Sequence, residues 1–257
     1  MSQSVRSAPL IAQIGLPLIG LALAVALWWA AVHGLGANSL MAGKFSPENT
    51  WAAALELLRR REIWQHALAS LQRVGLGLLA ALLIGVPLGL LVGSWASINR
   101  LTSMLFQFLR MISPLSWMPV AVMTLGVGEA PVVFLLAFTA VWPIVLNVAA
   151  GIAAIDRQWL TLADSLGASR RERLWQVTVP AIAAHLLTGL RLAIGLIWIV
   201  LVPAEMLGVN AGLGYFILDT RDRMAYGELM AIILFIGLLG FSLDWLVRWA
   251  HRRWAGI

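Results

Sequence analysis

The sequence contains no cysteine, and it has few charged residues for a chain of 257. Without cysteine, the chain has no disulfides, no thiolate nucleophile and no cysteine metal ligands. Charged residues make up 12% of it, whereas a soluble domain carries roughly 25%. Hydrophobic residues make up 61%. This composition excludes an ordinary soluble enzyme, and it also excludes intrinsic disorder, which requires low hydrophobicity.

Lysine is scarce as well, since Lys44 is the only one in the chain. A Walker A nucleotide-binding loop requires the pattern G-x-x-x-x-G-K-[ST]. Here Asn38 stands in place of the first glycine and Phe45 in place of the serine or threonine. The chain is therefore not itself an ATPase. Its net charge of +6 comes from arginine. In a membrane protein such an excess sets orientation more often than it binds nucleic acid, so no nucleic-acid partner is expected.

Long apolar segments dominate the sequence, and a helix that spans a bilayer needs about 20 such residues. We predict an all-α polytopic membrane protein with about six transmembrane helices in a single domain over residues 1–257. The predicted spans cover residues 10–32, 66–93, 99–126, 130–154, 181–206 and 228–250. More basic residues flank the spans on the side of the two termini than on the other side. Both termini are therefore expected in the cytoplasm.

The residues leave two other classes of function open. The sequence contains neither H-E-x-x-H nor G-x-S-x-G, and its histidines lie far apart, so no metal site is predicted. An intramembrane hydrolase would have to combine Ser113 or Ser116 with His185. A secondary transporter would need inverted repeats or paired carboxylates within the membrane. Apart from Glu228 at the first position of the last span, the predicted spans offer only Glu205 and Asp244, both near span ends.

Residues 156–180 form the largest predicted cytoplasmic connection. They are typical of a short helix, a break at Gly167, and a second helix that Pro180 stops. Ser169 followed by Glu172 three residues later matches a capping box at the start of the second helix. An exposed elbow of this kind suits docking into a groove of another protein. The alternative is a basic loop that only anchors the topology.

This loop resembles the conserved "EAA" loop of ABC importer permeases, E-A-A-x-x-x-G followed after nine residues by I-x-L-P. Thr161, Leu162 and Ala163 occupy the E-A-A positions, and Gly167 occupies the glycine. The remaining positions are Val177, Val179 and Pro180. The chain departs from the pattern at Thr161 and Leu162. Residues 109–119, 143–147, 188–191, 204–206 and 212–215 are further segments similar to the sulfonate, taurine and nitrate branch of these permeases. The resemblance covers roughly residues 51–249.

The resemblance implies a type I ABC importer permease fold in the bacterial inner (plasma) membrane, surrounded by lipid. It also implies a second copy of the permease, two ATPase subunits and an extracytoplasmic substrate-binding protein as partners. ATP and Mg²⁺ would be bound by the ATPase subunits, with no cofactor and no catalysis in this chain. The substrate implied is an aliphatic sulfonate, taurine or nitrate, with a vitamin precursor or an aromatic acid as alternatives.

By the same resemblance, the elbow is the coupling helix that transmits ATPase closure to the pore. The residues assigned to this coupling are Ala163, Asp164, Ser165, Leu166, Gly167, Ala168, Ser169, Arg170 and Pro180. A further set is expected along the translocation path. Pro114 and Pro119 should break the third span there, and freed carbonyls are tolerated only beside protein or a water-filled cavity. The path residues are Ser113, Ser116, Trp117, Met118, Asn147 and Glu205.

Three polar residues within the spans have more ordinary interpretations. Asn147 is expected to form an interhelical hydrogen bond. Glu205 is expected to lie near the membrane surface, paired with a base of an outer loop. Arg191, in the fifth span, is expected to brace the coupling loop or to contact substrate.

Overall fold

The computed structural model describes residues 10–35 and 42–254. Within these ranges every regular element is a helix, which confirms the predicted all-α class. The helices are α1 (Leu10–Ala30), α2 (Pro47–Arg59), α3 (Arg61–Ser94), α4 (Ala96–Met111), α5 (Met118–Leu125), α6 (Glu129–Ala153), α7 (Arg157–Ser165), α8 (Arg170–Glu172), α9 (Val179–Gly208), α10 (Leu213–Asp222) and α11 (Tyr226–Trp254). The predicted cytoplasmic position of the two termini stays a prediction.

Five helical stretches are long and apolar enough to cross a membrane: Gly15–Gly34, Arg61–Ser94, Glu129–Ala153, Arg170–Gly208 and Tyr226–Trp249. A sixth crossing results if α4 and α5 are counted together, although they are bent by 87° at the break between them. The prediction of about six transmembrane helices is therefore confirmed. The third crossing is a broken pair, and it is not one continuous helix over 99–126.

The break in the third crossing lies at Ile112 and Ser113, just before the first of the two prolines predicted to cause it. Pro114 opens a short 3-10 turn (Pro114–Trp117), and Pro119 lies in the first turn of α5. Proline fits such positions because the first turn of a helix leaves its N–H groups unpaired in any case. The prolines therefore mark the start of the new helical segment.

The described chain divides into two compact units. One contains the residues up to Arg61 together with Thr220–Leu234. In it, the Trp28 indole donates a hydrogen bond to the Phe45 carbonyl (3.0 Å). The Ser46 hydroxyl accepts a hydrogen bond from the Asn49 N–H at the start of α2 (3.3 Å). The prediction of a single domain over residues 1–257 stays a prediction.

The other unit contains Glu62–Asp219 and the chain from Phe235 onward, and its core forms around α6. Pairing of α6 with α9 buries a continuous apolar layer that includes Ile144 and Ile197. Buried charged and polar side chains of this unit cluster near one end of α9, where the candidate site is described below.

Glycines on α3 allow its backbone to lie directly against α6. A Cβ atom at Gly77 would lie 2.7 Å from Leu136 Cβ, and one at Gly89 would lie 2.7 Å from Val148 Cβ. Real Cβ atoms do not approach so closely, so neither position has room for a side chain. Small residues are the usual means by which membrane helices reach close contact.

We predict that Gly89→Ala destabilises the permease by about 1–3 kcal/mol, the usual cost of overpacking. Gly75→Ala is the matched control, because it lies on the same helix and has no atom within 4 Å of its added Cβ. Both substitutions raise helix propensity equally. Thermal unfolding in detergent should therefore show a lower midpoint for Gly89→Ala alone. Equal midpoints for the two variants would contradict the close contact between α3 and α6.

Candidate functional site

The elbow at residues 156–180 begins with α7, which ends in a Schellman motif. The Asp156 side chain accepts a hydrogen bond from the Gln158 N–H at the helix start (2.9 Å). At the other end, Gly167 has φ of +73°. The Ala168 N–H donates to the Ala163 carbonyl (3.0 Å), and the Gly167 N–H donates to the Asp164 carbonyl (3.1 Å). These bonds satisfy the last carbonyls of α7 and reverse the chain direction at Gly167.

The second arm starts with the predicted capping box. The Glu172 N–H donates to the Ser169 hydroxyl (3.2 Å), and the Ser169 N–H donates to a Glu172 carboxylate oxygen (2.8 Å). An ion pair between Arg173 and Asp164 (3.1 Å) joins this arm to α7. The angle of the elbow is therefore held by the backbone at Gly167 and by this ion pair between its arms.

Pro180 does not stop the second helix, and that prediction is wrong. Residues Arg173–Thr178 form a π-helical segment that continues directly into α9, and Pro180 lies in the first turn of α9. Proline lacks an N–H and crowds the preceding turn of an ordinary helix. The wider turn avoids this conflict: the Val179 N–H reaches back five residues to the Leu174 carbonyl. The helix from Arg170 to Gly208 is consequently continuous over 39 residues.

The elbow carries large apolar side chains on its outside. Trp159 and Trp175 are each 61% exposed, and Leu166 is 78% exposed. A groove of about 430 Å³ between the two arms is lined by residues that include Leu162, Ala163 and Gly167. Exposed aromatic and aliphatic groups beside a rigid backbone turn are typical of a surface that another protein covers.

Four of the residues expected along the translocation path lie at the bend before α5. Ser113 precedes the 3-10 turn, and Ser116 and Trp117 lie within it. The Trp117 ring packs against Phe138 of α6, with centroids 5.6 Å apart. Met118 is buried at the start of α5. Nothing in these contacts tests the translocation role of the four residues, which stays a prediction.

A cleft of about 840 Å³ opens beside this bend, between α6, α9 and α11. Pro114 and Asn147 line it, whereas Ser113 and Ser116 do not. The hydrogen bond made by Asn147 was expected to join two helices, but its amide donates to the Pro143 carbonyl of its own helix (2.8 Å). Gly189 of α9 packs directly against the Asn147 side chain, and glycine has no side chain that could accept a hydrogen bond. Arg191 also lines the cleft.

Glu205 lies outside this cleft, in a fully buried ion pair with Arg73 of α3 (2.5 Å). A basic partner was expected and is found, but it belongs to helix α3 and not to a loop, and the carboxylate is buried and not exposed at a surface. Ser70 donates a hydrogen bond to the same carboxylate (2.8 Å), and the Gly214 N–H donates to its second oxygen (2.9 Å). The carboxylate thus has partners on both of its oxygens, as a buried charge requires.

The Arg73 guanidinium connects still more of the structure. It binds both oxygens of Glu129, the first residue of α6, at 2.5 and 2.6 Å, and it donates to the Ala211 carbonyl (2.7 Å). The Gly212 N–H donates to His66 Nδ1 (3.0 Å). We call Ser70, Arg73 and Glu205 the buried charge cluster, which the exposed carboxylate of Glu129 binds from the start of α6. It joins α3, the start of α6, the end of α9 and the loop that leads to α10.

Two glycines make room for the buried charge cluster. Gly212 has φ of +121°, and a Cβ atom there would collide with both Arg73 and Glu205. A Cβ at Gly214 would collide with the Val202 carbonyl. Residues 212–214, at the start of α10, therefore need glycine at both ends because their backbone lies directly against the ion pair and its helix. Sequence reasoning did not assign Ser70, Arg73 or Glu129 to a site, although an arginine next to a long apolar run is a signal for a buried partner.

Comparison with known proteins identifies the family of the chain. Residues 85–256 match the family described as "Binding-protein-dependent transport system inner membrane component". The chain belongs to the ABC importer permeases. The permease is a multi-pass inner-membrane protein and a transport subunit, not an enzyme. ATP is bound by partner ATPase subunits, and the permease family carries no cofactor of its own.

Several named relatives are similar over most of the permease. It is 38% identical over 196 residues to the bicarbonate transport system permease protein CmpB of Synechococcus elongatus, covering 74% of this chain and 70% of that protein. It is 37% identical to the nitrate import permease protein NrtB of Leptolyngbya laminosa, covering 74% and 68%. It is 30% identical to the taurine transport system permease protein TauC of Escherichia coli, covering 95% and 90%. The permease therefore lies in the nitrate, bicarbonate and taurine branch of the family.

A solved structure supports the fold independently. A chain of the inward-facing MetNI methionine ABC transporter matches with a TM-score of 0.59 at 18% identity. The match covers 75% of the permease and 92% of that chain. Similarity at this level of identity establishes the ABC importer permease fold and nothing about the transported solute.

We predict that Glu205→Gln destabilises the permease strongly, by about 3–5 kcal/mol, because it leaves Arg73 as a poorly compensated buried charge. Glu129→Gln removes the other carboxylate that binds Arg73, but the Glu129 side chain is 66% exposed. Solvent compensates such a loss, so we expect an effect of at most about 1 kcal/mol. Thermal unfolding of both variants in the same detergent measures the difference. A Glu205→Gln midpoint as high as that of Glu129→Gln would contradict the central position of Glu205.

Proposed function

We propose that the permease forms the membrane path of an ABC importer for a small oxyanion, such as nitrate, bicarbonate, taurine or another sulfonate. The observation that carries this proposal is the set of relatives, which match most of the chain and whose names refer to nitrate, bicarbonate and taurine. These solutes differ in shape and overall charge, but each presents a compact oxyanion group. A basic membrane subunit with a wide cleft between its helices is compatible with such a solute.

We propose the elbow as the docking site for the ATPase. Its exposed Trp159, Leu166 and Trp175 would enter a groove of the ATPase subunit, and the rigid turn at Gly167 would transmit the motion of that groove. The coupling residues are those assigned from the sequence, 163–170 with Pro180. Nucleotide binding drives transport only if the ATPase subunits bind the inward-open and outward-open permease with different free energies.

The proposed assembly contains two copies of the permease, two ATPase subunits and one extracytoplasmic binding protein. A second copy supplies the other wall of the pore, because this chain contains a single set of about six spans. Both termini and the elbow would face the cytoplasm. The proposed path runs past the bend at Ser113, Ser116, Trp117 and Met118 and past Asn147, with Glu205 holding the helix ends in place.

The direct test is uptake into proteoliposomes that contain the permease with its ATPase partner. Labelled nitrate, bicarbonate and taurine would be offered separately, each with its purified binding protein. We expect ATP-dependent accumulation of at least one of these solutes, and none when the ATPase subunit carries a substitution that abolishes hydrolysis. Accumulation that proceeds without ATP would instead support a secondary transporter and overturn the proposal.

The coupling role of the elbow leads to a prediction for Gly167→Val. A β-branched residue in left-handed geometry costs about 1–2 kcal/mol, and the elbow relieves this strain by changing its angle. We expect the variant to insert into the membrane normally but to copurify poorly with the ATPase and to lose ATP-driven uptake. Copurification and uptake assays on the same preparation measure both effects.

Gly167→Asn is the matched control, because asparagine tolerates left-handed backbone geometry better than other non-glycine residues. It should retain most of the docking and uptake that the valine variant loses. If Gly167→Val supports ATPase docking and uptake at the level of the unmodified permease, the elbow is not the coupling element.

A further inference from the structure

The charged side chains that line the 840 Å³ cleft are Arg110, Arg191 and Asp244. The Arg191 side chain pairs with Asp244 of α11 (3.5 Å), rather than with the coupling loop. The other oxygen of Asp244 binds Arg248 (2.8 Å). Asp244 is therefore already shared between two guanidinium groups. Two arginines against one aspartate leave the lining of the cleft with a net positive charge.

Arg110 lies at the end of α4 and is a positively charged side chain of this cleft. Within residues 10–35 and 42–254, its side chain makes no ion pair and no hydrogen bond. The nearby walls of the cleft are apolar and aromatic, with Phe138, Trp142 and Leu146. The Arg110 side chain is exposed, and an ionisable residue beside membrane-spanning helices is a candidate for function by default.

A second, smaller cleft of about 240 Å³ also includes Arg110 in its lining. One side of this cleft is the polar face of α4, formed by Asn99, Ser103 and Gln107, which recur at helical spacing. A helix face turned to lipid would not carry this row of polar groups. Arg110 thus lies where a polar approach meets the large cleft, which favours a hydrated solute over a lipid tail as the neighbour of this face.

The remaining polar groups of the large cleft include a donor for an anion. One N–H of the Asn147 amide bonds to the Pro143 carbonyl, which leaves the second N–H available. The Thr188 hydroxyl is committed to the Ala184 carbonyl (2.9 Å), so it offers only acceptor lone pairs. The guanidinium of Arg110 presents a planar fork of N–H donors, which matches the oxygens of a carboxylate-like, nitrate-like or sulfonate group.

We propose that the permease itself contains an oxyanion subsite in this cleft, with Arg110 as its charged donor and Asn147 as its neutral donor. The subsite takes the oxyanion group of the solute in transit, after release from the binding protein. The inference rests on the proposed function for its solute, and it adds a binding step within the membrane subunit. A phospholipid headgroup shares this chemistry, and the test distinguishes it from the solute.

The test measures nitrate binding to the purified permease–ATPase complex in the absence of any binding protein, by titration calorimetry at constant ionic strength. The variants are Arg110→Gln and Arg100→Gln. Arg100 is the matched control, since it lies on the same helix and outside both clefts. A charge-assisted hydrogen bond contributes enough that its loss weakens binding by about tenfold or more. We expect that loss for Arg110→Gln and unchanged binding for Arg100→Gln.

The other outcomes overturn the subsite. Equal nitrate affinity in the two variants would remove Arg110 from any anion site. A phospholipid that copurifies with the unmodified complex and is lost in Arg110→Gln, with nitrate binding unchanged, would assign the position to a lipid headgroup. Failure of the proposed function is recognised separately, as absence of ATP-driven uptake by the unmodified importer, because the calorimetric measurement needs no transport.

Discussion

The structure around the end of α9 depends on the buried ion pair between Arg73 and Glu205. Neither charge is tolerable alone at such depth, so each element that carries a partner must be in place before the others are stable. Contact of α3 with α6 positions Arg73, and the end of α9 supplies Glu205. The first two residues of α10 then donate their backbone N–H groups to Ser70 and Glu205. One pairing therefore determines how a short loop and several helices meet.

Features determined within a few residues of each other were predictable from the sequence. The apolar runs predicted the helical class and the number of crossings, because length and composition alone define a bilayer-spanning segment. The elbow was also predictable, because its geometry depends on residues that are close together in the sequence. Gly167 and the pair formed by Ser169 and Glu172 act within one turn of the chain, and their geometry follows from backbone chemistry.

Features that join distant parts of the chain could not be predicted in the same way. Arg73 and Glu205 are 132 positions apart, and no local pattern indicates that they meet. Asn147 bonds within its own helix, and its neighbour across the helix contact is Gly189, which only the tertiary structure reveals. The expected stop at Pro180 failed for a different reason. A π-helical turn can absorb a proline, and the sequence carries no clear signal for that turn.

The continuous helix from Arg170 to Gly208 connects the elbow with the buried ion pair of Glu205. At about 1.5 Å per residue, its 39 residues extend about 58 Å. One end carries the elbow, and the other end carries Glu205. A tilt of about 10° at the elbow would therefore displace the far end by about 10 Å if the helix stayed straight. Because the far end is fixed by a salt bridge, such a tilt must either carry α3 with it or bend the helix at its π-helical segment.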